Sequence, residues 1–268
     1  MIKMLVLDID GTIYRKDFTA SAAVKSALRE LTADGIKVVL ATGRMFSATL
    51  PIAGDIGLTA PIVCYQGGLI KECSTDGKVL LEKDVPEKYA HEIIKILREK
   101  EIHCNLYIDD GLVVENDNET IKRYTDERNV RYTVVNSFDN IELKNINKML
   151  AIDTNPKKIE SLQKQLAEKY AKDLYIIRST PNFCEISNPQ ATKGNAIRFL
   201  AELWGIKHEE IMAIGDQDND IEMLKAAGIA VAMGNGTDSL KKVADYVTDS
   251  VENDGVVKAI QKFIKETV

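Results

Sequence analysis

Four short segments carry the residue types that handle metal ions and phosphate. The first, Leu-Val-Leu-Asp-Ile-Asp-Gly-Thr over residues 5–12, ends an apolar run in two aspartates, Asp8 and Asp10. In extended backbone, residues i and i+2 project to the same side, so this spacing predicts neighbouring carboxylates. Adjacent like charges at a partly buried site are costly unless a cation or a shared proton relieves them. The segment Ala-Ile-Gly-Asp-Gln-Asp-Asn-Asp, residues 213–220, brings Asp216 and Asp220 after another apolar run. Such a set asks for a hard, oxygen-binding ion. Mg2+ suits it because that ion takes one or two carboxylates, several waters and a phosphate oxygen.

So much acidity would repel a phosphate without a counterweight, and the other two segments supply one. In Val-Val-Leu-Ala-Thr-Gly-Arg, residues 38–44, Thr42 offers a hydroxyl and Gly43 an unshielded amide expected at the start of a helix. In Ala-Thr-Lys-Gly-Asn-Ala, residues 191–196, Lys193 follows a capping Thr192. A lysine at a helix start opposes the helix dipole, so its position reads as an anion clamp. Taken singly, each segment could be a solvated turn or a surface loop. Their order, each at the mouth of a strand or the start of a helix, favours a joint phosphate-and-metal site.

The elements that must position these segments alternate. Apolar, β-branched runs at Lys3–Asp8 and Ile36–Thr42 flank a helical stretch with Ala23, Ala27, Leu28 and Leu31 on one face and Gly35 as its stop. A helical stretch through Met45 to Ile56 and a strand over Pro61–Gln66 repeat the pattern, as adjacent parallel strands require. From Leu69 the texture changes to a hairpin turning at Asp76-Gly77. Helices over Glu87–Glu101, Glu119–Asn129 and Lys157–Ala171 and several paired strands follow. After Pro189 the alternation resumes, with helices expected over Thr192–Gly205, Asn219–Gly228, Ser239–Tyr246 and Asn253–Glu266. The expected fold class is α/β, a Rossmann-like parallel-sheet core formed by residues 1–82 and 189–268, with an inserted α+β cap over 83–188.

The chain of 268 residues is long enough for such a core and insert. A formal charge of −6 excludes a protein that coats nucleic acid, which needs a concentrated basic face. Apolar runs break far short of the ~20 residues of a membrane span. The first residues lack the apolar stretch and cleavage site of an export signal, so a cytoplasmic protein is expected. Cys64, Cys73, Cys104 and Cys184 form no CxxC pair and are expected to be reduced, inert thiols. His91, His103 and His208 have no partner pattern.

With these motifs the chain resembles the haloacid dehalogenase-like hydrolases, specifically the Cof-type phosphatases with a large cap inserted after the third core strand. The resemblance covers nearly the whole chain: Asp8–Thr12 matches the first motif, Thr42 the second, Lys193 the third and Gly215–Asp220 the fourth. It implies an aspartyl-phosphate formed on Asp8, with Asp10 as acid/base. It implies Mg2+ held by Asp8, Asp216 and the main-chain carbonyl of Asp10. Phosphate would be bound by Thr42, Gly43, Lys193, Asn219 and the backbone amide of Ile9, with Asp220 acting through metal-bound water or by orienting Lys193. Asp10 itself separates a phosphatase from the family's dehalogenases. Arg44 stays outside this set. The expected substrate is a small phosphorylated metabolite, selected by a cap in which Tyr107, Asp109, Arg178 and Asn182 are candidates. A phosphomutase or phosphotransferase would share the same intermediate. A non-catalytic phospho-acceptor would share the acidic strand ends but not the length or the cap.

Overall fold

The computed structural model describes residues 1–128 and 130–265, which divide into two compact units, residues 1–81 with 192–268 and residues 82–191. In chain order the first unit opens with β1 (Met4–Leu7), α1 (Ala22–Ala33), β2 (Lys37–Leu40), α2 (Phe46–Ile56), β3 (Ile62–Cys64), β4 (Leu69–Lys71) and β5 (Val79–Glu82). The second unit holds α3 (Glu87–Glu99), β6 (His103–Ile108), β7 (Gly111–Val114), α4 (Glu119–Arg128), β8 (Tyr132–Val134), β9 (Ile146–Ile152), α5 (Pro156–Tyr170), β10 (Tyr175–Thr180) and β11 (Phe183–Ser187). The first unit resumes with α6 (Lys193–Trp204), β12 (Ile211–Gly215), α7 (Ile221–Lys225), β13 (Ile229–Ala232), α8 (Asp238–Lys241), β14 (Tyr246–Val247) and α9 (Gly255–Ile260).

The main sheet of the first unit is parallel throughout, in the order β14-β13-β12-β1-β2. Every residue of β1 is buried, as expected of a central parallel strand covered on both faces. Met4 and Val6 pack with Ala196, Ile197 and Leu200 of α6 and Met223 and Leu224 of α7. The amphipathic stripe of α1, Val24, Ala27, Leu28 and Leu31, is buried as well, and Ser21 caps that helix by accepting from the Val24 N–H at 3.1 Å. From β1 the chain crosses to β2 on one side, whereas β12 and β13 extend the sheet on the other. The reversal opens a crevice beyond the carboxyl ends of β1 and β12, where ligands of open α/β sheets bind.

Several elements differ from the periodicity. The helix expected over Ser239–Tyr246 ends at Lys241, and Tyr246 belongs to β14. Asp245 enforces this: its backbone N–H donates to the Ala230 carbonyl and its carboxylate accepts from the Ala230 N–H, both at 2.8 Å, which pulls the segment into register with β13. The helix expected over Asn219–Gly228 shrinks to a 3-10 turn and α7, because Asp220 Oδ2 accepts the N–H groups of Asp216 and Gln217 at 2.9 and 3.1 Å and winds the turn tightly. β3 joins β2 through a single parallel bridge, Ala41 to Val63, and pairs antiparallel with β4. The expected helix ends at Asn129 and Glu266 lie outside the described residues.

In the second unit one sheet runs β10-β11-β9-β6-β7-β8, antiparallel except for the parallel pair β7–β8. Ala90, Ile93, Ile94 and Leu97 of α3 and Ile159, Leu162 and Leu166 of α5 bury one of its faces with Leu106, Met149, Ala151 and Ile186.

Candidate active site

The site residues of the first unit collect in the crevice beyond β1 and β12. The chain leaves β1 at Leu7, and the Asp8 N–H still donates to the Ile214 carbonyl at 3.1 Å, so Asp8 sits at the mouth of the switch point. Beyond it the backbone turns sharply: the Ile9 carbonyl accepts from the N–H groups of Thr12, Ile13 and Tyr14, while the Ile9 side chain is buried. Gly11 takes φ of +85°, and a Cβ there would collide with the Asp216 carboxylate. Conformation and space both require glycine at that position.

The two aspartates therefore lie in a turn beyond the strand rather than on extended backbone. Asp8 is 7% exposed and Asp10 is exposed, and they meet different partners. Lys193 Nζ donates to Asp8 Oδ1 at 2.5 Å and to Asp220 Oδ1 at 2.6 Å, with its own side chain fully buried. Asp10 instead accepts from both arms of Arg44, Nε at 2.8 Å and Nη2 at 2.6 Å, a bidentate pair. The acids that do converge are Asp8, Asp216 and Asp220, all buried, with carboxylate oxygens within 4.8 Å of one another. Thr12 Oγ1 and Gln217 Nε2 donate to the two oxygens of Asp216 at 3.2 and 2.8 Å.

The electrostatics follow from this crowding. Burial pushes the Asp8 carboxyl up to about 8, with Asp220 and Asp216 adding to the rise and Lys193 opposing it. Burial raises Asp216 as well, against its bonds from Gln217 and Thr12. Burial disfavours charge on Lys193, yet Asp220 and Asp8 outweigh it and hold that ammonium above the ordinary lysine range. Three buried carboxylates face one ammonium, which leaves two negative charges uncompensated when all are ionised. An oxygen-only donor set with that surplus fits a hard divalent cation.

Lys193 occupies the first position of α6, whose N-cap Thr192 accepts from the Asn195 N–H at 3.1 Å. Thr42 is 1% exposed, and its Oγ1 accepts from the Arg44 N–H at 3.2 Å, which leaves its own proton to donate outward. Gly43 lies in the turn ahead of α2, whose N-cap is Met45, and so does not start the helix as expected. Asn219 is exposed in the 3-10 turn after β12, and its Nδ2 donates to Gln66 Oε1 at 3.1 Å. Neither Gln66 nor the Arg44–Asp10 pair was singled out by motif reasoning. The one available signal for Gln66 was its place, before two glycines at a strand end.

The candidates of the second unit each have a partner within that unit. Tyr107 is buried with its hydroxyl 2.5 Å from that of Tyr124. Asp109 lies in the β6–β7 turn with φ of 50° and accepts from Asn145. Arg178 lies 3.7 Å from Glu160, and Asn182 Nδ2 donates to the Asp153 carbonyl at 2.7 Å. A cavity of about 430 Å³ in this unit is lined by Leu97, Arg98, His103, Asn118 and Asp153. Arg98 is already engaged there by Glu115 and Asp139, so the cavity does not repeat the acidic cluster of the first unit.

A family model described as haloacid dehalogenase-like hydrolase matches residues 5–260. A Streptococcus pyogenes protein carrying a provisional phosphatase name is 31% identical over 272 residues, covering 98% of both chains. A 5-amino-6-(5-phospho-D-ribitylamino)uracil phosphatase of Bacillus subtilis is 27% identical, covering 97% of both. Among solved structures, a Thermotoga maritima protein superposes with a TM-score of 0.90 at 32% identity and 98% coverage of both chains. A subclass IIB sugar phosphatase superposes with a TM-score of 0.84 at 28% identity, covering 97% of this chain and 98% of its own.

Proposed function

This chain belongs to the haloacid dehalogenase-like hydrolases of Cof type and is a phosphatase, and we propose that it hydrolyses small phosphate monoesters with Mg2+ through an aspartyl-phosphate on Asp8. The observation that carries this reading is the buried Asp8–Lys193–Asp220 array beside Asp216 at the switch point of the sheet. Lys193 holds Asp8 by one oxygen, so the other, Oδ2, attacks phosphorus as the bond to the leaving oxygen breaks. Asp10 protonates that leaving oxygen and then takes a proton from the water that opens the acyl-phosphate, returning Asp8 and free phosphate. Both Asp10 oxygens are engaged by Arg44, so one of these bonds opens for each proton transfer.

Thr42, Gly43, Lys193, Asn219 and the Ile9 amide hold the phosphoryl oxygens in this scheme, and Asp220 orients Lys193. Asp8, Asp216 and the Asp10 carbonyl would hold Mg2+, which when bound offsets the charge of a carboxylate meeting a phosphate. Selection among substrates is assigned to residues 82–191. The phosphorylated ribitylamino-uracil and sugar phosphate substrates named for two relatives support sugar phosphates or phosphorylated cofactors as the class. All four cysteines are free, which suits a reducing compartment such as the cytoplasm.

The test is hydrolysis of p-nitrophenyl phosphate. Asp8→Asn should abolish turnover while the melting temperature holds, and chelation should abolish it until Mg2+ is restored. Retained turnover in Asp8→Asn, or indifference to chelation, overturns the proposal. Release of free phosphate rather than an isomerised sugar separates hydrolysis from mutase chemistry.

A further inference from the structure

After β3 the chain enters a kink in which Tyr65, Gln66 and Gly67 take φ of 50°, 60° and 108° in succession. Two of these residues carry side chains in a region that L-residues avoid, and such strain persists only where the surroundings over-determine it. Here the fastenings are visible. The Tyr65 N–H donates to the Arg44 carbonyl at 3.1 Å, and the Gln66 N–H donates to the Thr42 carbonyl at 2.9 Å. Asn219 Nδ2 donates to Gln66 Oε1 at 3.1 Å. Gly67 lies so close to Thr192 that a Cβ would collide with the Thr192 carbonyl oxygen. One three-residue kink therefore touches the turn after β2, the start of α6 and the turn after β12.

The side chain of Gln66 has a defined orientation within this arrangement. Its Oε1 is taken by Asn219, so Nε2 is the end that borders Gly43, where a methyl group would stand 2.5 Å away. The Asn219 amide spends one of its two hydrogens on Gln66 and keeps the other. Resting on the assignment of Gly43 and Asn219 to phosphate above, we propose that Gln66 is a positioning residue for phosphoryl binding. Through Oε1 it aims Asn219, and through Nε2 it packs against Gly43, so two sides of the phosphate pocket are set by one strained side chain. The strain is the signature of that task, because glycine at residue 66 would adopt the same backbone without it.

The test measures inorganic phosphate binding to the full chain with Mg2+ by calorimetry, alongside kcat and KM for p-nitrophenyl phosphate. Gln66→Gly should leave the melting temperature unchanged or raised, yet weaken phosphate roughly tenfold or more, the scale of a lost hydrogen bond to a charged group. Gln66→Met should weaken it similarly, and both variants should raise KM more than they lower kcat. In a double-mutant cycle, Gln66→Gly should add little to Asn219→Ala. Wild-type phosphate affinity in both Gln66 variants, additive losses in the cycle, or a wild-type chain that does not bind phosphate would overturn the assignment. A wild-type chain that binds phosphate but does not turn over the ester would overturn the catalytic reading alone, and the binding comparison would still decide the role of Gln66.

Discussion

Lys193 in the first unit and Lys148 in the second are both buried lysines paired with carboxylates, but they keep different company. Lys193 starts a helix, where the dipole opposes a cation, has no exposed side-chain surface, and sits between Asp8 and Asp220. Lys148 lies in the middle of β9 on the sheet, meets Glu185 at 3.1 Å, and covers the Tyr107 ring at 5.0 Å from its centroid. One lysine is outnumbered by acid and placed against its own electrostatic preference. The other forms a balanced pair against an aromatic ring. Chemistry is to be sought where several buried carboxylates converge and outnumber their counter-charge, whereas a buried lysine matched by a carboxylate belongs to architecture.

The largest effect should come from Lys193→Met. It strands two buried carboxylates, so it should abolish p-nitrophenyl phosphate turnover and cost about 3–5 kcal/mol in denaturant unfolding. A stable, active variant would show that Lys193 is no more than a structural counter-charge. Lys148→Met should cost less, about 1–3 kcal/mol for removing the charged donor to Glu185, with turnover of the same small ester retained. Adding Glu185→Leu should restore most of that loss, and a dead Lys148→Met enzyme would erase the contrast.

The smallest effect concerns Asp84, the second unit's own carboxyl raised by burial. Its Oδ1 is buried without a hydrogen-bond partner among the described residues, and burial, with Glu82 and Asp109 adding, pushes it up to about 6 from 3.8. In that window the unfolded chain ionises first, so stability should fall as pH rises from about 4 to about 6. Asp84→Asn should therefore melt higher than wild type at pH 7.5, with the gain shrinking toward zero by pH 4. A gain of equal size at both pH values would overturn this reading, because ionisation of Asp84 could not then be its cause.

The α/β class was legible because parallel strands buried on both faces must be nearly continuous apolar runs, as in Leu5–Leu7 and Ile211–Ile214. The acidic strand ends were legible because nothing in packing explains aspartate there. What stayed hidden depends on contacts distant in sequence. Asp10 could not be parted from Asp8 without knowing that the chain turns after Leu7 and that Arg44 waits 34 residues away. The short α8 and the strand β14 follow from Asp245 finding Ala230, a pairing that no local pattern encodes. Gln66 escaped notice because its role is written in backbone angles, which residue type alone does not disclose.

The register of β1 with β12, Met4 opposite Ile211, also sets a clock. On a ribosome adding about 5–20 residues per second, roughly 10–40 s separate the emergence of these two neighbours. Through that interval β1 has β2 on one side and an open apolar edge on the other. Residues 82–191, whose strands β6 to β11 pair with one another among the described residues, emerge complete before β12 exists. The insert is thus able to finish folding before the sheet of the first unit is complete, and Asp8 acquires Lys193, Asp216 and Asp220 only after the whole insert has been made.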